Sequence, residues 1–179
     1  MLDKLFLVNA DFQDYKDLSE NFDDGRLNQS IRESQVDEMR AFLGDELYLI
    51  MQTDFTEPDT WATIKYEELF EGKDYTYNDK LIRFYGVKPA LVLYAYSRLL
   101  DLGNLNLTRQ GAVQFIEDEV SEPTEQPQIM TKVRSAKAQG LVYLADAKKF
   151  LESNIDLYPE FSTKDSQVVN KTGMTMFKV

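Results

Sequence analysis

Three features of the sequence predict a mainly α fold, a bundle of three long helices and one short helix with a small β-hairpin. Two stretches carry apolar residues at spacings of three and four, a third is apolar on most sides, and the β-prone runs are few and short. With 179 residues, 43% of them hydrophobic, the chain can bury a core as one domain, and wholesale disorder is not expected.

Residues 1–30 interleave Asp11, Asp14, Asp17, Glu20, Asp23 and Asp24 with Phe12, Tyr15, Leu18 and Phe22, and read as an extended acidic arm or short strand that docks through aromatics. They offer little core of their own. Asn28 or Ser30 can cap the first helix, and Glu33 three residues after Ser30 completes a capping-box pattern. That helix runs to about Gln52, because Val36, Met39, Leu43, Leu47 and Ile50 form one apolar stripe, and Gly44 inside it weakens it slightly or permits close packing.

Glu57-Pro58-Asp59 then punctuates the chain. Asp59 or Thr60 starts a short helix through Trp61, Ile64, Tyr66, Leu69 and Phe70, closed by Gly72, with Trp61 as a core anchor. Residues 75–77 and 81–85 flank Asn78-Asp79 as a hairpin. The next helix has Pro89 in its first turn, is apolar on most sides and ends at Gly103, so it belongs at the centre.

Residues 104–128 form a long connection with β-prone patches at Leu105, Leu107, Val113, Phe115 and Ile116, of the kind that is functional or mobile. The last helix spans about 127–153. Its seam is Ile129, Val133, Ala136, Gly140, Tyr143, Ala147 and Phe150, with Lys132, Lys137, Lys148 and Lys149 outside it. Pro159 stops any continuation. The chain divides into an arm at 1–30, a helical domain at 31–160 and an extended C-terminal arm at 161–179, whose pieces around Val168-Val169 and 174–179 need a partner to become strands.

Composition narrows the chemistry. There is no Cys and no His, which excludes disulfides, thiolate nucleophiles, zinc ribbons, the Ser-His-Asp relay and imidazole metal ligands. No nucleotide-binding, hydrolase or zincin motif occurs, and Phe22-Asp23-Asp24-Gly25 lacks the ligand spacing of a calcium loop. No cofactor and no catalytic residue is read. No signal peptide is read, and no stretch reaches the ~20 apolar residues needed to cross a bilayer.

The net charge is −11, and its placement is uneven. Residues 1–60 hold five basic against fifteen acidic residues, residues 61–120 seven against nine, and residues 121–179 eight against seven. A solvated face explains this, and so does an acidic end that meets the neutral-to-basic end of a neighbouring copy head to tail. No cluster of Lys and Arg offers a nucleic-acid grip. Tyr75, Tyr77, Tyr85, Tyr94 and Tyr96 crowd into one stretch and suit a protein interface better than base stacking.

The segment from Gly72, GKDYTYNDKLIRFYGVKPALVLYAYSRLLDLGNLNLTRQGAVQF, is followed by SEPTEQPQI and by a long helix ending in FLESNIDLYPEF. It resembles a family of tailed-phage head-to-tail connector proteins, also called adaptor or head-completion proteins, of Bacteroidetes phages including the crAss-like group. The likeness runs from about Ile31 to Phe161. Its distinctive pieces are the YGVKPALVLYAYSRLL helix, Thr108-x-x-Gly111-x-Val113, the Ser121-Glu122-Pro123 turn and the Tyr158-Pro159-Glu160-Phe161 helix stop.

The resemblance implies a virion structural protein, made in the host cytoplasm. It would form a ring, commonly of about twelve copies, between the portal protein and the next tail or ring component, and DNA would pass through its channel without specific binding. Leu107, Thr108, Gly111, Val113 and Phe115 would then contact adjacent subunits. Val168, Val169, Met174, Met176 and Phe177 would dock on the portal or the next ring. Two other readings are a non-enzymatic interaction or scaffold domain using its acidic face, and a carboxylate-metal enzyme, which needs several Asp and Glu converging on a cleft.

Overall fold

Nearly every side of residues 88–102 is apolar, and the fold is arranged around that fact. The computed structural model describes residues 4–13, 15, 24–56, 60–102, 106–108, 111–113 and 126–161. In chain order these form α1 (Asn9–Gln13), α2 (Asp24–Ser34), a π-helical turn (Gln35–Met39), α3 (Arg40–Leu43) and α4 (Asp45–Asp54). Then come β1 (Phe55–Thr56), β2 (Thr60–Trp61), α5 (Ile64–Glu71), β3 (Lys73–Tyr77), β4 (Lys80–Phe84), α6 (Lys88–Leu102), β5 (Asn106–Thr108), β6 (Gly111–Val113) and α7 (Gln126–Ser153).

The protein is mainly helical, with small antiparallel strand pairs β1–β2, β3–β4 and β5–β6. α6 is central: Ala90 to Ala95, Ser97 and Leu99 are all buried, and it packs against α7 on one side and α2 on another. The seam of α7 is the expected one, with Val133, Ala136, Gly140, Ala147 and Phe150 buried and Ile129 and Tyr143 half-buried. Lys132, Lys137 and Lys149 point to solvent. No described helix is long and apolar enough to cross a membrane.

The first long helix is interrupted. It begins at Asp24, ahead of the expected cap, so Ser30 lies inside α2 rather than at its end. The chain leaves helical geometry at Gly44 (φ 82°, ψ 159°), where α3 stops and α4 starts. Before that break the π-helical turn adds a residue to one turn and rotates the stripe. Gln35 is thereby fully buried, while Val36, expected inside, is 39% exposed.

Trp61 also differs in setting, lying in β2 opposite Phe55 instead of in a helix, though it packs against the core as expected. The residues read as an arm with little core in fact supply Phe6, Leu7 and Phe12, all essentially inaccessible to solvent.

The β3–β4 hairpin follows the sequence closely. Asn78 and Asp79 both have positive φ (50° and 59°), the two-residue turn whose twist matches the strands. Its inner face lies on α7, with Phe84 stacked on Phe150 at 4.2 Å and Tyr75 edge-on to the same ring at 5.1 Å. Gly72 and Gly86 bracket the hairpin and cross at close range. A Cβ on Gly86 would fall 2.1 Å from the Phe70 carbonyl oxygen, and one on Gly72 2.4 Å from that of Phe84.

Candidate functional site

The connection between α6 and α7 carries the first group of residues expected at an interface. Leu107 and Thr108 lie on β5, and Gly111 and Val113 on β6, so that Thr108 pairs with Gly111, Leu107 with Ala112 and Asn106 with Val113. The Thr-x-x-Gly pattern is therefore a tight hairpin. Among the described residues no third strand joins it. Phe115, Val168, Val169, Met174, Met176 and Phe177 lie outside the described residues, as does the Ser121-Glu122-Pro123 turn.

The crowded tyrosines divide by depth. Tyr94 is buried against Gly140, Tyr75 and Tyr96 are half-buried at the core edge, and Tyr77 and Tyr85 are exposed. Leu81 on β4, Ile64 on α5 and Val142 on α7 are exposed aliphatic side chains. A shallow open hollow of about 440 Å³ lies beside Leu49, Ile50, Thr53, Asp54 and Ala62.

Part of the acid at the front of the chain is engaged internally. On α6, the Arg98 guanidinium meets Asp37 and Glu38 at 2.7 Å each and Glu33 at 3.5 Å. At the other end of the same helix, Lys88 lies 2.7 Å from Asp11 and 2.9 Å from Glu71. Burial works against the Lys88 charge, but the hydrogen bonds to Asp11 and Glu71 outweigh it and hold the ammonium above the ordinary lysine range. Among the described residues no group of three or more carboxylates is arranged to hold a metal ion. The acids of these pairs converge on basic side chains, three on Arg98 and two on Lys88.

The Tyr158-Pro159-Glu160-Phe161 stop is an anchor. The Tyr158 hydroxyl donates to the Lys65 carbonyl at 2.7 Å, Phe161 packs against Phe42, and Glu160 accepts from Lys65 and Tyr66 at 3.3 Å each. These contacts tie the stretch after α7 to α5 and, through Phe42, to α3.

Sequence reasoning missed one constellation altogether. Gln35 in the π-helical turn and Gln52 on α4 are buried and turn their carboxamides onto the main chain of residues 4–6. Lys4 N donates to Gln52 Oε1 at 2.9 Å, and Phe6 N donates to Gln35 Oε1 at 2.8 Å. The Lys4 carbonyl accepts from Gln35 Nε2 at 2.9 Å and from Gln52 Nε2 at 3.0 Å. The Phe6 ring enters a cage of Tyr48, Phe55, Trp61 and Phe70, with centroids 5.2 to 6.1 Å away. The available signal was a glutamine at a buried helical register, which is read as surface unless its partners are known.

A protein-family match covers residues 40–171, from α3 through α7 and beyond. The chain belongs to a family of unknown function (DUF6712). No curated protein and no solved structure matches it. The matched stretch contains the β3–β4 hairpin, α6, the β5–β6 hairpin and the Tyr158 anchor. It also contains Gln52 and the aromatic cage, whereas Gln35 and the segment they hold lie in front of it.

Proposed function

We propose that this chain is a structural subunit of a tailed-phage virion, a connector that assembles as a ring between the portal vertex and the tail and lines the DNA channel. The observation that carries this reading is the β5–β6 hairpin between the two helices of the α6–α7 pair. Its outer edges have no strand partner among the described residues and suit strand addition by a neighbouring subunit. The exposed Leu81, Ile64 and Val142 are further apolar surface that subunit contacts would cover.

In this reading the stretch from α2 to α4 acts as one long, bent member of a three-helix bundle beside α6 and α7. The ring has about twelve copies, as is common in the resembled families. Leu107, Thr108, Gly111, Val113 and Phe115 meet adjacent subunits, and Val168, Val169, Met174, Met176 and Phe177 meet the portal or the next ring. The protein works without catalysis or cofactor, at the head-to-tail junction, and the net charge of −11 keeps DNA from sticking as it passes.

Electron microscopy and mass measurement of the purified protein, alone and mixed with portal protein, test this. Rings or a portal-bound species are expected. A monomer or dimer that stays so after mixing would replace the connector with a simple interaction or scaffold domain.

A further inference from the structure

The segment of residues 4–12 is held as a bound peptide would be. Both carboxamides of the Gln35–Gln52 pair bond main-chain groups of alternate residues, Lys4 and Phe6, in the way a neighbouring strand would read them, and Gln52 Nε2 also donates to the Tyr48 hydroxyl. Such contacts register the backbone and are indifferent to most side chains. Selectivity comes from the Phe6 ring in its four-membered aromatic cage and from Asp11, which accepts from Val8 N at 2.7 Å while pairing with Lys88. With the segment in place the two glutamines are 0% and 9% exposed, so it completes both their burial and their hydrogen bonding, and in its absence only one of these bonds remains, from Gln52 Nε2 to the Tyr48 hydroxyl at 3.2 Å.

We propose that the groove between the π-helical turn, α4, the β1–β2 pair and α5 is a peptide-binding site that reads main chain and one aromatic side chain, and that residues 4–12 of a second copy can occupy it. Apart from the Val8–Asp11 bond, which lies within the segment and travels with it, the segment's contacts just described are with the body, so a second copy offers the same hydrogen bonds, the same aromatic insertion and the same Asp11–Lys88 pair. Exchange therefore forfeits no contact, and within an assembly the high local concentration of neighbouring segments favours it. The groove's Gln52 and aromatic cage lie in the stretch matched by the family, and the segment that fills the groove lies before it. The inference does not require the connector reading, because a dimer could exchange these segments as well as a ring.

The Asp11–Lys88 pair allows a direct test on the unaltered chain, since a zero-length carbodiimide joins a carboxylate to an amine at this distance. Copies with ordinary and with heavy nitrogen are mixed in equal amounts, concentrated, equilibrated overnight and cross-linked, and the joined Asp11 and Lys88 peptides are weighed. Linked peptides carrying one isotope on each side are expected. Linked peptides of matched isotope only would overturn occupation by a second copy.

The binding site itself is tested with a fluorescent peptide of residues 4–13 added to the full-length Phe6→Ala chain, whose own segment is loosened. Saturable binding is expected, and adding Gln35→Leu and Gln52→Leu should weaken it about tenfold or more. If Phe6→Ala loses its helical circular dichroism, Asp11→Asn serves instead. A folded variant that leaves the peptide unbound would overturn the site.

Discussion

Arg98 gathers three carboxylates that would otherwise repel one another at the junction of α2 and the π-helical turn, and it does so from the central helix, where its side chain is only 20% exposed. Replacement by Met should therefore lower stability in urea by about 1.5–3 kcal/mol, the usual worth of charge-assisted hydrogen bonds. Lys149→Met, at the exposed pair with Asp146, should leave it unchanged within error. Tyr94 gives a second expectation. Burial, helped by the nearby Glu38, pushes its phenol up to about 12, and burial likewise raises Tyr158. In the unfolded chain a phenol ionises near 10, so the folded state holds its protons more tightly above that pH. Stability is fully present below pH 10 and falls as pH rises from 10 towards 12, by roughly 2–3 kcal/mol for Tyr94 alone. Lys88, also raised, acts in the same direction from the ordinary lysine range, about 10.4, upward. Thermal melts between pH 8 and pH 11 check this. A wild-type melting temperature that falls no more steeply than that of Tyr94→Phe would exclude Tyr94 as a contributor.

Among elements, the α6–α7 contact is tight where Tyr94 crosses Gly140, since a Cβ there would lie 2.9 Å from the ring. Gly140→Ala gains up to about 1 kcal/mol of helix propensity but overpacks the crossing by about 1–3 kcal/mol, so a net loss is expected. In a Tyr94→Leu background the same change should become neutral or stabilising, and a double-mutant cycle by chemical denaturation measures the difference. At the base of the β3–β4 hairpin, Gly86→Ala meets main-chain atoms at a positive φ and has no such escape; a loss of more than about 2 kcal/mol is expected. These elements were legible in the sequence because local chemistry determines them. Asn78-Asp79 specifies its turn, and the heptad-like spacing from Ile129 to Phe150 specifies α7. The break at Gly44 was hidden because Leu43 and Leu47 continue the apolar spacing straight across it. The burial of Gln35 was hidden because a π-helical turn shifts every register that periodicity assumes constant. The same shift concealed the groove, whose polar groups make sense only beside the main chain they hold, 31 and 48 residues away along the sequence.

For the whole molecule, the excess acid of residues 1–60 takes on a different meaning once its partners are placed. Asp11, Glu33, Asp37 and Glu38 are committed to Lys88 and Arg98, so part of what the sequence presents as a solvated acidic face is the electrostatic attachment of the front of the chain to its central helix. Repulsion of DNA in a connector would fall to acids outside these pairs, such as the exposed Glu46. The two ends of the chain also separate in their expected roles. The front buries Phe6, Leu7 and Phe12 and belongs to the core, whereas the anchor that ends the described body, Tyr158 on Lys65 and Phe161 on Phe42, comes just before residue 162. Removal of residues 162–179 leaves that anchor complete. The truncated chain should therefore keep its helical circular dichroism and its melting temperature to within a few degrees, while ring formation and portal binding are lost, because residues 168–177 are the part read as a partner-dependent arm. Loss of helical signal on truncation would make this tail part of the folding unit, and assembly that survives it would move the docking contacts elsewhere, with the β5–β6 hairpin the first place to look.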